Sequence, residues 1–221
     1  FVSAIFPFLT PLMDKMNITV NSSEALQFFI SVIKKIKEER KNNPKSRVDF
    51  MQLMVNAQMQ EGNEEGSSQK GLTDNEILAQ AMIFIFAGYE TTSSSLGFLA
   101  YNLATNPKIQ KKLQEEIDKT FPGKVRPNYD DLMQLEYLDM VVNESMRLYP
   151  IANRLERMTK TSVEINGLTI PKGTVVAIPV YALQRDPVLW PEPEAFKPER
   201  FSKENKDNVD PYAYLPFGAG P

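Results

Sequence analysis

Over the first two thirds of the chain, apolar residues recur at helical spacing. Between Ser22 and Arg40, Leu26, Phe29, Ile30, Ile33 and Ile36 make one stripe against a basic outer face. Asn42-Asn43-Pro44 should end that helix. Asp49 to Gln60 repeats the pattern through Phe50, Leu53, Met54 and Ala57. Glu61 to Gly71 is polar and glycine-containing with alternating charge, and reads as an exposed, mobile loop. Thr73 then offers an N-cap with Glu76 as its capping-box partner, and no proline follows until Pro107, so the next helix should be long. Pro107 opens a further helix to about Thr120, with Lys111, Lys112, Glu115 and Glu116 on a solvated face. Tyr129 to Met133 adds a short turn, and Leu138 to Leu148 is helical up to Pro150.

After Pro150 the period changes. Val163 to Ile170 alternates on both sides of Asn166-Gly167, a strong hairpin signal. Thr174 to Ile178 reads as a strand after the Pro171-Lys172-Gly173 turn. From Pro187 onward Pro191, Pro193, Pro198, Pro211 and Pro216 predict irregular chain, which inside a compact domain is usually functional. The expected class is mainly α with a small β region (α+β), with no internal repeat and no linker.

Within the long helix, Ile83-Phe84-Ile85-Phe86-Ala87-Gly88-Tyr89-Glu90-Thr91-Thr92 sets an acid beside an alcohol in apolar surroundings. Charge there is costly unless paired or solvated. One reading carries Glu90 and Thr91 into the interior. Gly88 would then admit a flat ligand to the backbone, and the carboxyl and hydroxyl would relay protons. The other is a core helix whose glutamate turns outward and whose threonines bond back to the preceding turn. From this segment alone both stand.

Composition narrows the chemistry. The 221 residues carry a net charge of -3, with basic residues interleaved among acids, so no nucleic-acid footprint is present. There is no cysteine and no histidine. Disulfides, Cys/His zinc sites, thiol nucleophiles and serine–histidine triads are excluded, and catalysis must use carboxylates, hydroxyls, lysines or a cofactor. No apolar run approaches the roughly 20 residues that span a bilayer. Phe1 to Met13 is nevertheless strongly apolar and reads as core or as a segment dipping into a membrane surface. The ends read as cut: no initiator methionine or signal peptide at Phe1, and a turn-rich run at Pro221 that leads onward.

Three more motifs are individually weak. Glu144-Ser145-Met146-Arg147 puts an acid and an arginine at i, i+3. Phe196-Lys197-Pro198-Glu199-Arg200-Phe201 offers a second arginine. Phe217-Gly218-Ala219-Gly220 is a glycine-rich turn without the flanks of a dinucleotide site. In their order and spacing, however, the four segments resemble the haem-thiolate monooxygenases of the cytochrome P-450 superfamily. Ala87-Gly88-Tyr89-Glu90-Thr91 looks like the oxygen-activating helix, Glu144-x-x-Arg147 and Phe196-x-Pro198-x-Arg200-Phe201 like its ion network, and Phe217-Gly218-x-Gly220 like the opening of the haem loop. The surrounding wording, including Arg154-Leu155-Glu156-Arg157, is similar to the vertebrate drug- and steroid-oxidising subfamily 3A.

The resemblance implies a single, incomplete catalytic domain over 1–221: helical 1–150, a small β hairpin region 151–186, and an irregular segment 187–221 leading to the haem loop. It implies Glu90 and Thr91 as catalytic residues, and Ala87, Gly88, Arg157, Phe217, Gly218 and Gly220 against haem b. Ile83, Phe86, Ala87, Ile151, Ala152, Arg154, Leu155 and Glu156 would line a pocket for bulky lipophilic substrates. Glu144, Arg147 and Arg200 would form a structural ion network. Electrons would come from NADPH through a reductase, with cytochrome b5 as a further partner. The site would lie on the cytoplasmic face of the endoplasmic reticulum membrane, with Phe1 to Met13 touching the membrane. The family's axial cysteine would lie beyond Pro221, so the 221 residues alone are expected to be inactive. The rival expectation is a helical ligand-binding or membrane-surface module without redox chemistry.

Overall fold

The computed structural model describes residues 23–43, 48–58, 71–124, 126–206 and 209–220. Phe1 to Met13 and nearly all of the Glu61–Gly71 loop lie outside the described residues. The chain divides into two compact units, Phe1–Tyr89 and Glu90–Pro221.

In the first unit, α1 (Ser23–Asn42) and α2 (Phe50–Asn56) pack with the opening turns of α3 (Asp74–Thr105). Ile33, Met54, Ile77 and Ala81 are the buried cluster, with Met51, Leu72, Leu78 and Met82 against it. Asp49 caps α2, accepting from the Gln52 amide at 3.0 Å. α2 is shorter than the periodicity predicts, because Ala57 already leaves the helix and its neighbour Gln58 pairs with Leu72 in an isolated bridge. The predicted capping box forms: the Thr73 amide donates to Glu76 Oε2 at 2.8 Å, and the Glu76 amide donates to Thr73 Oγ1 at 3.3 Å. Lys37 is buried, and its ammonium donates to Asp74 at 2.5 Å.

In the second unit, α4 (Pro107–Thr120), α5 (Tyr129–Leu132) and α6 (Glu136–Leu148) follow the end of α3. Leu113, Tyr137, Val141, Leu148 and Phe196 form the core, covered by Leu99, Leu103, Ile109 and Tyr149. Asn102, also buried, reaches Ser145 Oγ at 3.0 Å. α6 starts two residues before Leu138. The Glu116 carboxylate on α4 accepts from the Tyr137 and Leu138 amides at 2.8 and 3.0 Å, satisfying donors that a helix N-terminus leaves open.

The small β region has two antiparallel pairs. β1 (Leu155–Met158) pairs with β4 (Val175–Ile178), and β2 (Val163–Ile165) with β3 (Leu168–Ile170). Asn166 and Gly167, at φ 50° and 78°, make the turn that the Asn-Gly signal predicts. The proline-rich stretch is irregular, apart from α7 (Val180–Leu183) before it, a 3-10 turn at Pro198–Phe201 and α8 (Lys203–Lys206).

Candidate active site

At the second unit's centre is a buried ion pair. Glu144 and Arg147 are wholly buried and one helical turn apart on α6. Arg147 Nε and Nη2 donate to Glu144 Oε2 and Oε1 at 2.8 and 2.9 Å, a bidentate fork. Two charges out of water need every remaining donor and acceptor used. Arg147 Nη1 meets the Gln184 carbonyl at 2.7 Å, and Nη2 the Ala195 carbonyl at 3.3 Å. Glu144 Oε1 also accepts from the Lys197 amide at 2.9 Å and from Arg200 Nε at 3.3 Å. Arg200 Nη2 ends on the Glu192 carbonyl at 2.8 Å. The guanidinium of Arg147 lies 5.2 Å from the ring centre of buried Trp190. The three ion-network residues named from the sequence thus come together, and they hold 184–200 against α6.

Beside the carboxyl end of α6 lies an apolar concavity of about 460 Å3, lined by Thr91, Thr92, Ser95 and Leu96 of α3, by Met146, Pro150, Ile151 and Ala152, and by Pro216 and Phe217. That volume is ordinary for a ligand pocket, roughly 300–1,000 Å3. Thr91, Ile151, Ala152 and Phe217 were expected at such a site. Thr92, Ser95, Leu96, Met146, Pro150 and Pro216 were not assigned to it. The helical spacing of Thr91, Thr92 and Ser95 was the signal that could have extended the list.

The glycine-rich turn closes one side. Gly218 sits at φ 82°, where an added Cβ would also come within 3.4 Å of Leu155 Cδ1. The backbone requires glycine there; the approach to Leu155 is ordinary van der Waals contact. Gly220 sits at φ 137°. Arg157 on β1 sends Nη1 to the Glu156 carbonyl at 2.9 Å and Nη2 towards the Ala219 carbonyl at 3.4 Å. Arg154 and Glu156 form an exposed ion pair at 2.8 Å and do not line the concavity. Leu155 is half-buried against Gly218. Tyr214, just before the turn, is tied by its hydroxyl to Asn143 Oδ1 at 2.9 Å. Burial, with the charges of Asp139 and Glu144 adding to it, pushes its phenol above the ordinary range.

Glu90 does not enter the interior. It is exposed, as are all of residues 83–93 around α3, so the outward glutamate of the second reading is seen but not its core helix. Ser93 and Ser95 bond back to the Glu90 and Thr91 carbonyls at 3.2 and 2.9 Å. Ile83, Phe86, Ala87 and Gly88 lie on the first unit's part of α3. Ile83 and Phe86 are exposed, and Phe86 meets Phe29 edge-on at 5.4 Å. An added Cβ at Gly88 would meet nothing within 4 Å. Among the described residues no carboxylate cluster could hold a metal ion, and no helix is long and apolar enough to cross a membrane.

The buried Glu-x-x-Arg pair that anchors the proline-rich segment is the arrangement that the resemblance to the cytochrome P-450 superfamily implies. Residues 2–221 match the family described as Cytochrome P450, and the chain belongs to it. It is 63% identical over 219 residues to cytochrome P450 3A40 of Oryzias latipes, covering 99% of this chain and 43% of that protein. Against cytochrome P450 3A13 of Mus musculus it is 59% identical over 218 residues, covering 98% and 43%. Against cytochrome P450 3A12 of Canis lupus familiaris it is 57% identical over 222 residues, covering 100% and 44%. The chain thus spans less than half the length of these relatives.

Proposed function

We propose that this chain forms one wall of the active site of a microsomal monooxygenase that inserts one oxygen atom from O2 into bulky lipophilic substrates such as drugs and steroids. The observation that carries the reading is convergence. α3, the segment after α6 and the glycine-rich turn supply Thr91, Ile151, Ala152 and Phe217 to one concavity. The family membership and the 3A names of its relatives support it.

The donor set suits a haem's edges and faces. Gly218 keeps the turn's backbone near Leu155, and the Arg157 guanidinium beside Ala219 suits a propionate. With no cysteine or histidine in the 221 residues, these groups would furnish wall and not a thiolate ligand. Haem, when bound, supplies oxygen activation with electrons from NADPH through a reductase, with cytochrome b5 as a second donor. Thr91 lines the concavity, and its hydroxyl would hold a proton there for delivery. Glu90, exposed one residue earlier, exchanges protons with solvent and recharges that hydroxyl through ordered water. Ile151, Ala152, Leu96 and Phe217 offer the substrate apolar contact. For Ile83, Phe86, Ala87 and Gly88, on the first unit's part of α3, contact with substrate or haem rests on the family membership alone. Leu155 backs the glycine-rich turn at Gly218, while Arg154 and Glu156 stand outside the concavity as an exposed pair. The Glu144–Arg147–Arg200 network is structural. The complete protein sits on the cytoplasmic face of the endoplasmic reticulum, with Phe1 to Met13 in contact with the membrane.

The test is the reduced, carbon-monoxide-treated spectrum of the complete protein carrying this chain, with a steroid turnover assay. A thiolate-type red-shifted Soret band with NADPH-dependent hydroxylation is expected. Ligand binding without that band would leave a helical binding module instead.

A further inference from the structure

Gln184 belongs to none of the motifs above, yet it is wholly buried and uses every polar atom it has. We infer that Gln184 is a positioning residue that sets the glycine-rich turn against the carboxyl end of α6. Its Nε2 donates to the Met146 and Arg147 carbonyls at 3.1 and 2.9 Å. Its Oε1 accepts from the Leu215 amide at 2.9 Å. Its own carbonyl receives Arg147 Nη1 at 2.7 Å.

The need for this residue follows from where α6 stops. The last carbonyls of a helix have no partner within it. Ser145 finds one in the Tyr149 amide at 2.9 Å. Met146 cannot, because the residue four positions on is Pro150, which has no N–H. The carboxamide of Gln184 fills that gap and the one at Arg147. Leu215 carries the tie onward, since its carbonyl accepts from the Gly218 amide at 3.2 Å. Three links therefore join the end of α6 to the glycine whose φ shapes the turn. The task requires one neutral side chain offering two donors and an acceptor, which glutamine has and a carboxylate lacks. The consequence for the haem pocket rests on the function proposed above; the tie itself does not.

The test is amide hydrogen exchange at Leu215 in the complete protein, with Val141 in the core of α6 as reference. Gln184→Leu should speed Leu215 exchange about tenfold, the effect of losing one ordinary hydrogen bond, and leave Val141 nearly unchanged. It should also reduce the fraction of protein showing the red-shifted carbon-monoxide band. Gln184→Glu keeps the acceptor, so Leu215 should stay protected while the Met146 and Arg147 carbonyls lose their donor. Should Gln184→Leu fail to fold, Gln184→Glu still decides: loss of Leu215 protection there overturns the inference. So does Leu215 exchange in Gln184→Leu that is unchanged or rises only in step with Val141. A wild-type protein with no thiolate-type band would instead overturn the functional reading and leave the tie standing.

Discussion

Arg147 shows how much one side chain is asked to do. Its planar fork grips Glu144 at two points while a third nitrogen reaches Gln184. Lysine keeps the charge but has no planar fork. Each buried acceptor left unpaired costs about 1–3 kcal/mol, and Arg147→Lys cannot serve Glu144 at two points and the Gln184 and Ala195 carbonyls at once. The complete protein carrying it should fail to incorporate haem, and absorbance at the Soret band checks this. Thr91→Ala is expected to do the opposite: haem is retained and coupling is lost. Product formed per NADPH consumed should fall while peroxide rises, and unchanged coupling would make Thr91 a packing residue. Tyr137 gives a pH signature. Burial first, then Glu199 and Glu116, pushes its phenol from 10 to about 12. A raised pKa means the fold favours the neutral phenol. The contribution is whole below pH 10 and is lost as pH climbs through about 12, with tyrosinate absorbance as the readout. Glu199 behaves oppositely: burial pushes its carboxyl up, but the Lys112 hydrogen bond and its other partners pull it down further. Its contribution persists above the ordinary glutamate range and disappears as pH falls through the depressed value. At this scale the spacing of Glu144 and Arg147 alone marked only a common i, i+3 pair, and their network with Arg200 was read from the resemblance to the family. The sequence could not show Gln184, whose partners lie 31 to 38 positions away, nor the exposure of Glu90, which an apolar neighbourhood in sequence does not decide.

Elements whose ends are set by their own residues were legible, and elements set by distant ones were not. Thr73 and Glu76 satisfy each other within one turn, so the start of α3 could be read directly. Thr73→Ala should destabilise that end by about 0.5–2 kcal/mol, visible as faster amide exchange over the first turn with little change at Leu103. The hydrogen bonds from Thr73 hold Glu76 below its ordinary range. The cap is therefore intact above that range and weakens as pH falls through the lowered value. The hairpin was legible for the same local reason, since Asn166 and Gly167 both adopt positive φ. The start of α6 was misplaced because its cap comes from Glu116, twenty-one residues back from Tyr137. β1 escaped notice because Leu155-Glu156-Arg157-Met158 has no β-branched residue; it is a strand because β4 pairs with it.

For the molecule as a whole, the exposed surface carries the argument. Ile83, Phe84, Ile85 and Phe86 remain 40–56% exposed, and Leu96, Tyr101 and Phe217 are exposed as well. Monomeric soluble proteins seldom leave contiguous apolar surface of this kind uncovered. The sequence could mark α3 as apolar but could not say what covers it, since hydropathy reports the demand for burial and not the partner. Residues 1–221 prepared alone should therefore self-associate at micromolar concentration and bind an environment-sensitive apolar dye. Sedimentation velocity checks the first and dye fluorescence the second. The same preparation has no thiol or imidazole to offer iron. Added haem should give a broad Soret band without the thiolate-type shift under carbon monoxide. A monodisperse chain showing that shift would mean that the apolar face of α3 is satisfied within these residues and that the sulfur ligand is not what produces the band.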